Sequence, residues 1–293
     1  MLTQLCLTVT ILAAAADTDT PLICCGAGEV FILPHSQLNA DNPAPIWSWR
    51  ATDSPTIPVD ARKWFGSTDE CKPLKESILI TSSGGGVALV QRRDKKCLFL
   101  AYARNAQSAC ILPNNRIAVA ASYGGDEVQF YDLDDTSRPA QPIARLPLHG
   151  AHGVVWDAQR ARLWALGDNV LLRLSIPDAA AKGKLRIEQS WKLPSQGGHD
   201  LSPINDGEHL FVTTNKHVYR FSRRDGTFVP DTELGDRPKV KSVTQHPTTG
   251  EIVFHQGTPE HYWSETIRFV GERKSVRLPN RRLYKVRWDA LTP

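Results

Sequence analysis

The chain has 293 residues, 41% of them hydrophobic and 23% charged, which excludes a low-complexity or disordered chain and leaves length for a substantial core. Its 35 basic and 31 acidic residues give a formal charge of +4, too even a balance for a nucleic-acid-binding footprint. Pairs such as Arg92-Arg93, Arg223-Arg224 and Arg281-Arg282 read as solvated turn residues.

Residues 1–16 read as a secretory leader. Positions 5–12 are mostly apolar and Ala13, Ala14, Ala15 and Ala16 offer small residues for cleavage, although no Lys or Arg precedes the apolar run. No other stretch is long and apolar enough to span a bilayer. The expected product is therefore an exported chain, secreted or periplasmic, with residues 17–293 as one domain and no membrane span. Setting Cys6 aside leaves Cys24, Cys25, Cys71, Cys97 and Cys110, an odd number without C-x-x-C spacing. They read mainly as buried small hydrophobes. Cys24 and Cys25 are neighbours in a strand, so their side chains take opposite faces.

The segments 22–25 and 29–33 are predicted strands around Gly26-Ala27-Gly28, and a third follows at 46–50. Residues 52–68, rich in Pro and polar side chains, read as an ordered loop. Short apolar strands at 77–81, 87–90 and 97–101 are then separated by Gly, Asp and Lys turns. The pattern returns at 109–112, 117–121 and 128–132, again from 154 to 191, then at 201–204, 209–213 and 217–222, and finally from 240 to 278. Helical periodicity is nearly absent, apart from a possible turn at 178–182.

Each group opens with a polar motif: Glu70-Cys71-Lys72-Pro73, Ala106-Gln107-Ser108-Ala109, Ala151-His152-Gly153-Val154, Gly198-His199-Asp200-Leu201, Val240-Lys241-Ser242-Val243 and Tyr284-Lys285-Val286-Arg287-Trp288. The central polar residues recur at spacings of 35, 45, 47, 42 and 44 residues. A strand-built repeat of this length predicts an all-β chain, a β-propeller with one four-stranded blade per repeat. The last motif is an inner strand with no blade after it, and the N-terminus supplies three strands without an inner one. Joining them gives a six-bladed ring closed by both termini; seven blades is the alternative.

These motifs, with Asp69 ahead of Glu70, the run from Ile78 through Ser82-Ser83-Gly84-Gly85-Gly86 to Leu89, and Gly150 through Trp156-Asp157, resemble the DUF6528 family of exported bacterial proteins, which lacks an assigned activity. The resemblance covers nearly the whole mature chain and implies the propeller but no reaction. The family's third motif carries histidine where this chain has Gln107, which weakens a three-histidine metal site here.

If the motif residues converge, one channel mouth gathers Lys72, Gln107, His152, His199, Lys241 and Lys285, with Glu70, Asp200 and Arg287 nearby. Cations then outnumber carboxylates, which predicts an anionic small molecule or acidic saccharide as ligand, bound by Lys72, Gln107, His152, His199, Asp200, Lys241, Lys285 and Arg287. The plainer alternative is that the lysines pair with Glu70 and Asp200 and fill the channel as structure. A divalent metal on His152, His199 and Gln107 is a further possibility. So is β-elimination from a uronate, with His152, His199 or Lys241 as base. A protein-interaction scaffold is the reading from a different class, and a monomer is expected.

Other signals are weaker. Gly26-Ala27-Gly28 lacks the glycine and helix of a dinucleotide site, and residues 82–86 lack the ending of a phosphate loop. No nucleophile elbow is present. The tryptophans suit packing between blades. Tyr262-Trp263 lies in a loop where it is placed to stack on a sugar ring, and His246 is expected to face solvent.

Overall fold

Turn chemistry divides the chain into short strands. Asn114 and Asn115 both adopt positive φ, 58° and 54°, as a tight hairpin turn demands, and asparagine tolerates that conformation better than most residues. Gly85 (φ 101°) turns where an added Cβ would come 2.3 Å from the Tyr102 ring, so only glycine fits. The computed structural model describes residues 19–40, 43–176, 185–273 and 275–290. The leader expected at 1–16 and the helical turn expected at 178–182 lie outside the described residues.

Six four-stranded antiparallel sheets follow. The first blade holds β1 (Leu22–Gly26), β2 (Glu29–Leu33) and β3 (Trp47–Trp49). The second holds β4 (Thr68–Pro73), β5 (Ser77–Ser82), β6 (Gly86–Gln91) and β7 (Cys97–Tyr102). The third holds β8 (Ala106–Leu112), β9 (Arg116–Ala121), β10 (Glu127–Asp132) and β11 (Ala144–Pro147). The fourth holds β12 (Gly153–Asp157), β13 (Arg162–Leu166), β14 (Val170–Ser175) and β15 (Arg186–Lys192). The fifth holds β16 (Leu201–Pro203), β17 (His209–Thr213), β18 (Val218–Ser222) and β19 (Phe228–Pro230). The sixth holds β20 (Val240–Gln245), β21 (Ile252–Gln256), β22 (Thr266–Phe269) and β23 (Val276–Arg277). β24 (Lys285–Trp288) then pairs with β1 and becomes the inner strand of the first blade.

The cores lie between blades. Trp49 and Ile80 share one between blades one and two, Phe99 and Val119 one between two and three, and Val128 and Leu163 one between three and four. Trp164 and Phe221 share the fourth, Phe211 and Phe254 the fifth, and Val253 and Trp288 the sixth, between blade six and the terminal blade. Each blade thus buries both faces, and the sixth core closes the circle into a six-bladed propeller. Burying each large apolar side chain contributes about 1.5–3 kcal/mol, so closure gathers many such terms where the termini meet. Cys24 lies in the sixth core and Cys25 in the first, on opposite faces of β1.

Two strands escape the sequence pattern, β11 and β19; both are exposed or half-buried edge strands with little apolar alternation. The segment read as a loop contains 3₁₀ turns at Ala51–Asp53 and Val59–Phe65, and sets Ile57, Ala61 and Phe65 into the core of blades one and two. It is not a seventh blade. His246, expected in solvent, is 2% exposed, with its ring 4.8 Å from that of Trp288. Among the described residues no helix is long and apolar enough to cross a membrane.

Candidate functional site at the channel mouth

All six inner strands start at the same face of the ring, so their first residues form levels around the channel. Register sets Glu70 opposite Thr81, Ser108 opposite Ala120, Gly153 opposite Leu166, Ser242 opposite His255 and Lys285 opposite Cys25. Asp200 joins this level, since its carbonyl accepts the Thr213 N–H. One residue earlier, towards the mouth, stand Asp69, Gln107, His152, His199, Lys241 and Tyr284. At Asp69, Gln107 and Lys241 the ladder is bulged, which frees these residues from strict alternation and turns them towards the mouth.

The deeper level is an ion-pair lattice. Lys285 Nζ lies 3.2 Å from Glu70 Oε2 and 3.1 Å from Asp200 Oδ1. Arg287 reaches Glu70 with Nη2 at 2.9 Å and Asp200 with Nη1 at 2.8 Å. Ser108 Oγ donates to Glu70, and the Val243 N–H to Asp200. Burial pushes Glu70 up, but the Arg287 and Lys285 charges outweigh it and hold the carboxyl at about 2. Asp200 is likewise lowered by Arg287 and Lys285 against burial, and both cations are raised by the two carboxylates. The four side chains are almost fully buried. Two positive charges therefore meet two negative ones, and the channel is filled at this depth.

Within the cationic ring expected from sequence, Lys285 and Arg287 are paired with Glu70 and Asp200, as the plainer alternative has it for the lysines. Lys72 lies deeper along β4 and its Nζ donates to Val154 O at 2.6 Å. Gln107 is held on both sides of its amide: Nε2 donates to Asn105 Oδ1 at 2.8 Å, and Oε1 accepts from Tyr284 Oη at 3.2 Å.

The mouth brings together His152, His199 and Lys241. The two imidazoles are 5.2 Å apart, edge to face, and Lys241 Nζ is 2.7 Å from His199 Nε2. His199 Nε2 also meets Asn215 Oδ1 at 2.7 Å, while its Nδ1 is buried without a hydrogen-bond partner. His152 Nδ1 meets Gly150 O at 2.9 Å; a carbonyl only accepts, so Nδ1 carries the proton and Nε2 the lone pair. Ser122 Oγ lies 2.9 Å from the same Nδ1. Burial lowers His152 to about 4, and burial with the Lys241 charge lowers His199 well below the usual range, so both rings are neutral near pH 7. Burial, with Lys239 and Lys285 adding repulsion, brings Lys241 down to about 7. Among the described residues no carboxylate pairs with it.

Asp69 and Tyr284 complete this level, and the sequence reading passed over both. The Ser83 N–H donates to Asp69 Oδ2, and burial raises its carboxyl to about 7. Spacing held a signal for Asp69 alone: the first interval becomes 38 residues in place of 35 when it replaces Lys72. The metal reading took Gln107 as the third ligand beside His152 and His199, and the Gln107 Oε1 accepts from Tyr284 Oη. Among the described residues no group of three His, Cys, Asp or Glu is placed to hold a metal ion.

A model of DUF6528, described as a family of unknown function, matches residues 35–291. No curated protein matches the sequence.

Proposed function

The chain belongs to the DUF6528 family, whose function is unknown, and from its channel mouth we propose that it is an exported monomeric propeller that binds the carboxylate of a small acid or acidic saccharide. One observation carries this: Lys241 is 5% exposed and, among the described residues, lacks a carboxylate partner, beside two neutral imidazoles. An unpaired ammonium is costly to bury, and an anion at the mouth supplies its missing counter-charge. Such a ligand also raises the Lys241 pKa, so binding takes up a proton near pH 7. Asn215 and Tyr123, both exposed, mark the side from which it enters.

Calorimetric titration with galacturonate and glucuronate tests the reading. Expected are binding, an enthalpy that changes with buffer ionisation as a proton is taken up, and loss of binding in Lys241→Met. Equal affinity in Lys241→Met, or no binding of either acid, overturns it.

A second reading is favoured by the position of Lys241 near 7, which leaves a free amine available at neutral pH. Such an amine is a competent base for removing the proton α to a uronate carboxylate. Accumulation of unsaturated products from polymeric uronates, abolished in Lys241→Met, distinguishes a lyase from a binding protein.

A further inference from the structure

A second concavity opens on the same face as the channel mouth, where the loop between β21 and β22 overhangs the turn between β1 and β2. It has a volume of about 200 Å³ and is walled by Tyr262, Trp263, Arg282 and Tyr284, with backbone at Gly26 and Gly66. Tyr284 belongs to both places: its ring meets Tyr262 edge to face at 5.9 Å, and its hydroxyl donates to Gln107 in the channel level. The loop is tied to the Lys241 strand as well, since Lys239 Nζ donates to Thr258 O at 3.1 Å and Lys239 O accepts the Gly257 N–H.

The chemistry of the walls is specific. Trp263 is covered by His261, stacked at 4.7 Å and 7°, and by the Arg282 guanidinium at 4.7 Å. Tyr262, by contrast, is 56% exposed and offers an aromatic surface. The exposed Arg282 guanidinium lies over the indole, and among the described residues no carboxylate pairs with it. A guanidinium beside an aromatic wall presents a planar fork suited to a carboxylate, and the adjoining phenol suits the apolar face of a pyranose.

We propose that this cleft is a second saccharide subsite, in which an acidic pyranose rests on Tyr262 with its carboxylate on Arg282. The inference deepens the proposed function and rests on it for the first subsite: neighbouring units of one acidic chain occupy the mouth at Lys241 and the cleft at Arg282. Backbone at Gly26 closes the floor, because a Cβ there would lie 1.9 Å from Arg282 O.

The experiment compares galacturonic acid with trigalacturonic acid on the whole protein, by titration calorimetry and by tryptophan fluorescence. The trimer is expected to bind at least about tenfold more tightly than the monomer, equivalent to about 1.4 kcal/mol. Tyr262→Ala and Arg282→Ala should each remove most of that advantage while leaving monomer affinity unchanged. Monomer binding that depends on Lys241 without any gain for the trimer overturns the cleft and leaves the first subsite standing. Trimer binding lost in Tyr262→Ala but indifferent to Lys241→Met supports the cleft and overturns the first subsite. Failure of both sugars to bind overturns both.

Discussion

Lys241 Nζ and Asn215 Oδ1 both lie 2.7 Å from the same atom, His199 Nε2. An imidazole nitrogen either donates or accepts, so it cannot serve an ammonium and a carbonyl oxygen at once. A charged Lys241 needs the lone pair of Nε2; the Asn215 oxygen needs its proton. The conflict disappears when Lys241 is neutral, because the Nε2–H then points at two acceptors. The protonation of Lys241 is thereby coupled to the tautomer of His199.

Lys241→Met follows from this. The substitution removes a buried cation that has no carboxylate partner among the described residues and keeps most of the apolar stem, so the fold is expected to hold or gain stability at pH 6, by up to a few kcal/mol. Urea denaturation at pH 6 checks it. A variant destabilised as strongly as a core truncation would mean that the ammonium has a structural partner.

Glu70→Gln should behave in the opposite way. Glu70 neutralises Lys285 and Arg287 in a fully buried lattice, and removing its charge leaves those cations in excess. The expected loss is about 3–5 kcal/mol, read from the denaturation midpoint. Replacing Glu70 and Lys285 together with Gln and Met should recover part of it, since the remaining Arg287–Asp200 pair is neutral. If the double variant is no better than the single one, the lattice is not held by charge balance.

The ring itself was legible because turns such as Asn114-Asn115 and the polar motif opening each inner strand are local signals. β11 and β19 were not, since an edge strand open to water carries no core-facing alternation. His152, His199 and Lys241 were found by spacing alone. Lys72 was taken for Asp69 because the motif Glu70-Cys71-Lys72-Pro73 was read from its basic residue, three positions further along the strand, and spacing alone does not say which polar residue of a motif stands at the mouth. The charge neutralisation was hidden for a different reason. Lys285 and Glu70 are 215 residues apart, and Arg287 and Asp200 are 87 apart, so only ring closure brings them into contact.

The cysteines give a simple check on packing. All five described ones are free and buried, and burial raises both Cys97 and Cys110 to about 11. A thiol that is both inaccessible and protonated is a poor nucleophile. Ellman's reagent should therefore react slowly with the native protein near pH 8 and at once after guanidinium denaturation. Rapid stoichiometric reaction of the native protein would contradict the burial of these side chains.

Two mouth residues titrate near neutrality with opposite consequences for stability. Asp69 is raised from 3.8 to about 7, so between those values the folded protein keeps a proton that the unfolded chain has lost. Stability from Asp69 is complete below pH 3.8 and is lost as pH rises to about 7. Lys241 is lowered from 10.5 to about 7, so between those values the unfolded chain holds a proton that the folded one has released. Its contribution therefore grows as pH rises from about 7 to 10.5. Each group changes stability by at most about 1.4 kcal/mol per pH unit. His152, His199 and His255, lowered by burial from 6.5, add a rise in stability as pH climbs to about 6.5, so the two contributions are read from variants compared with wild type rather than from the wild-type profile alone. In urea midpoints from pH 5 to 9, Asp69→Asn should gain on wild type as pH rises from 5 to about 7, and the advantage of Lys241→Met should be greatest below about 7 and shrink above it. A bound uronate should stabilise wild type most below pH 7, by giving Lys241 its counter-charge. A pH profile that neither substitution alters would place both groups in ordinary solvated surroundings and remove the basis for a ligand at this mouth.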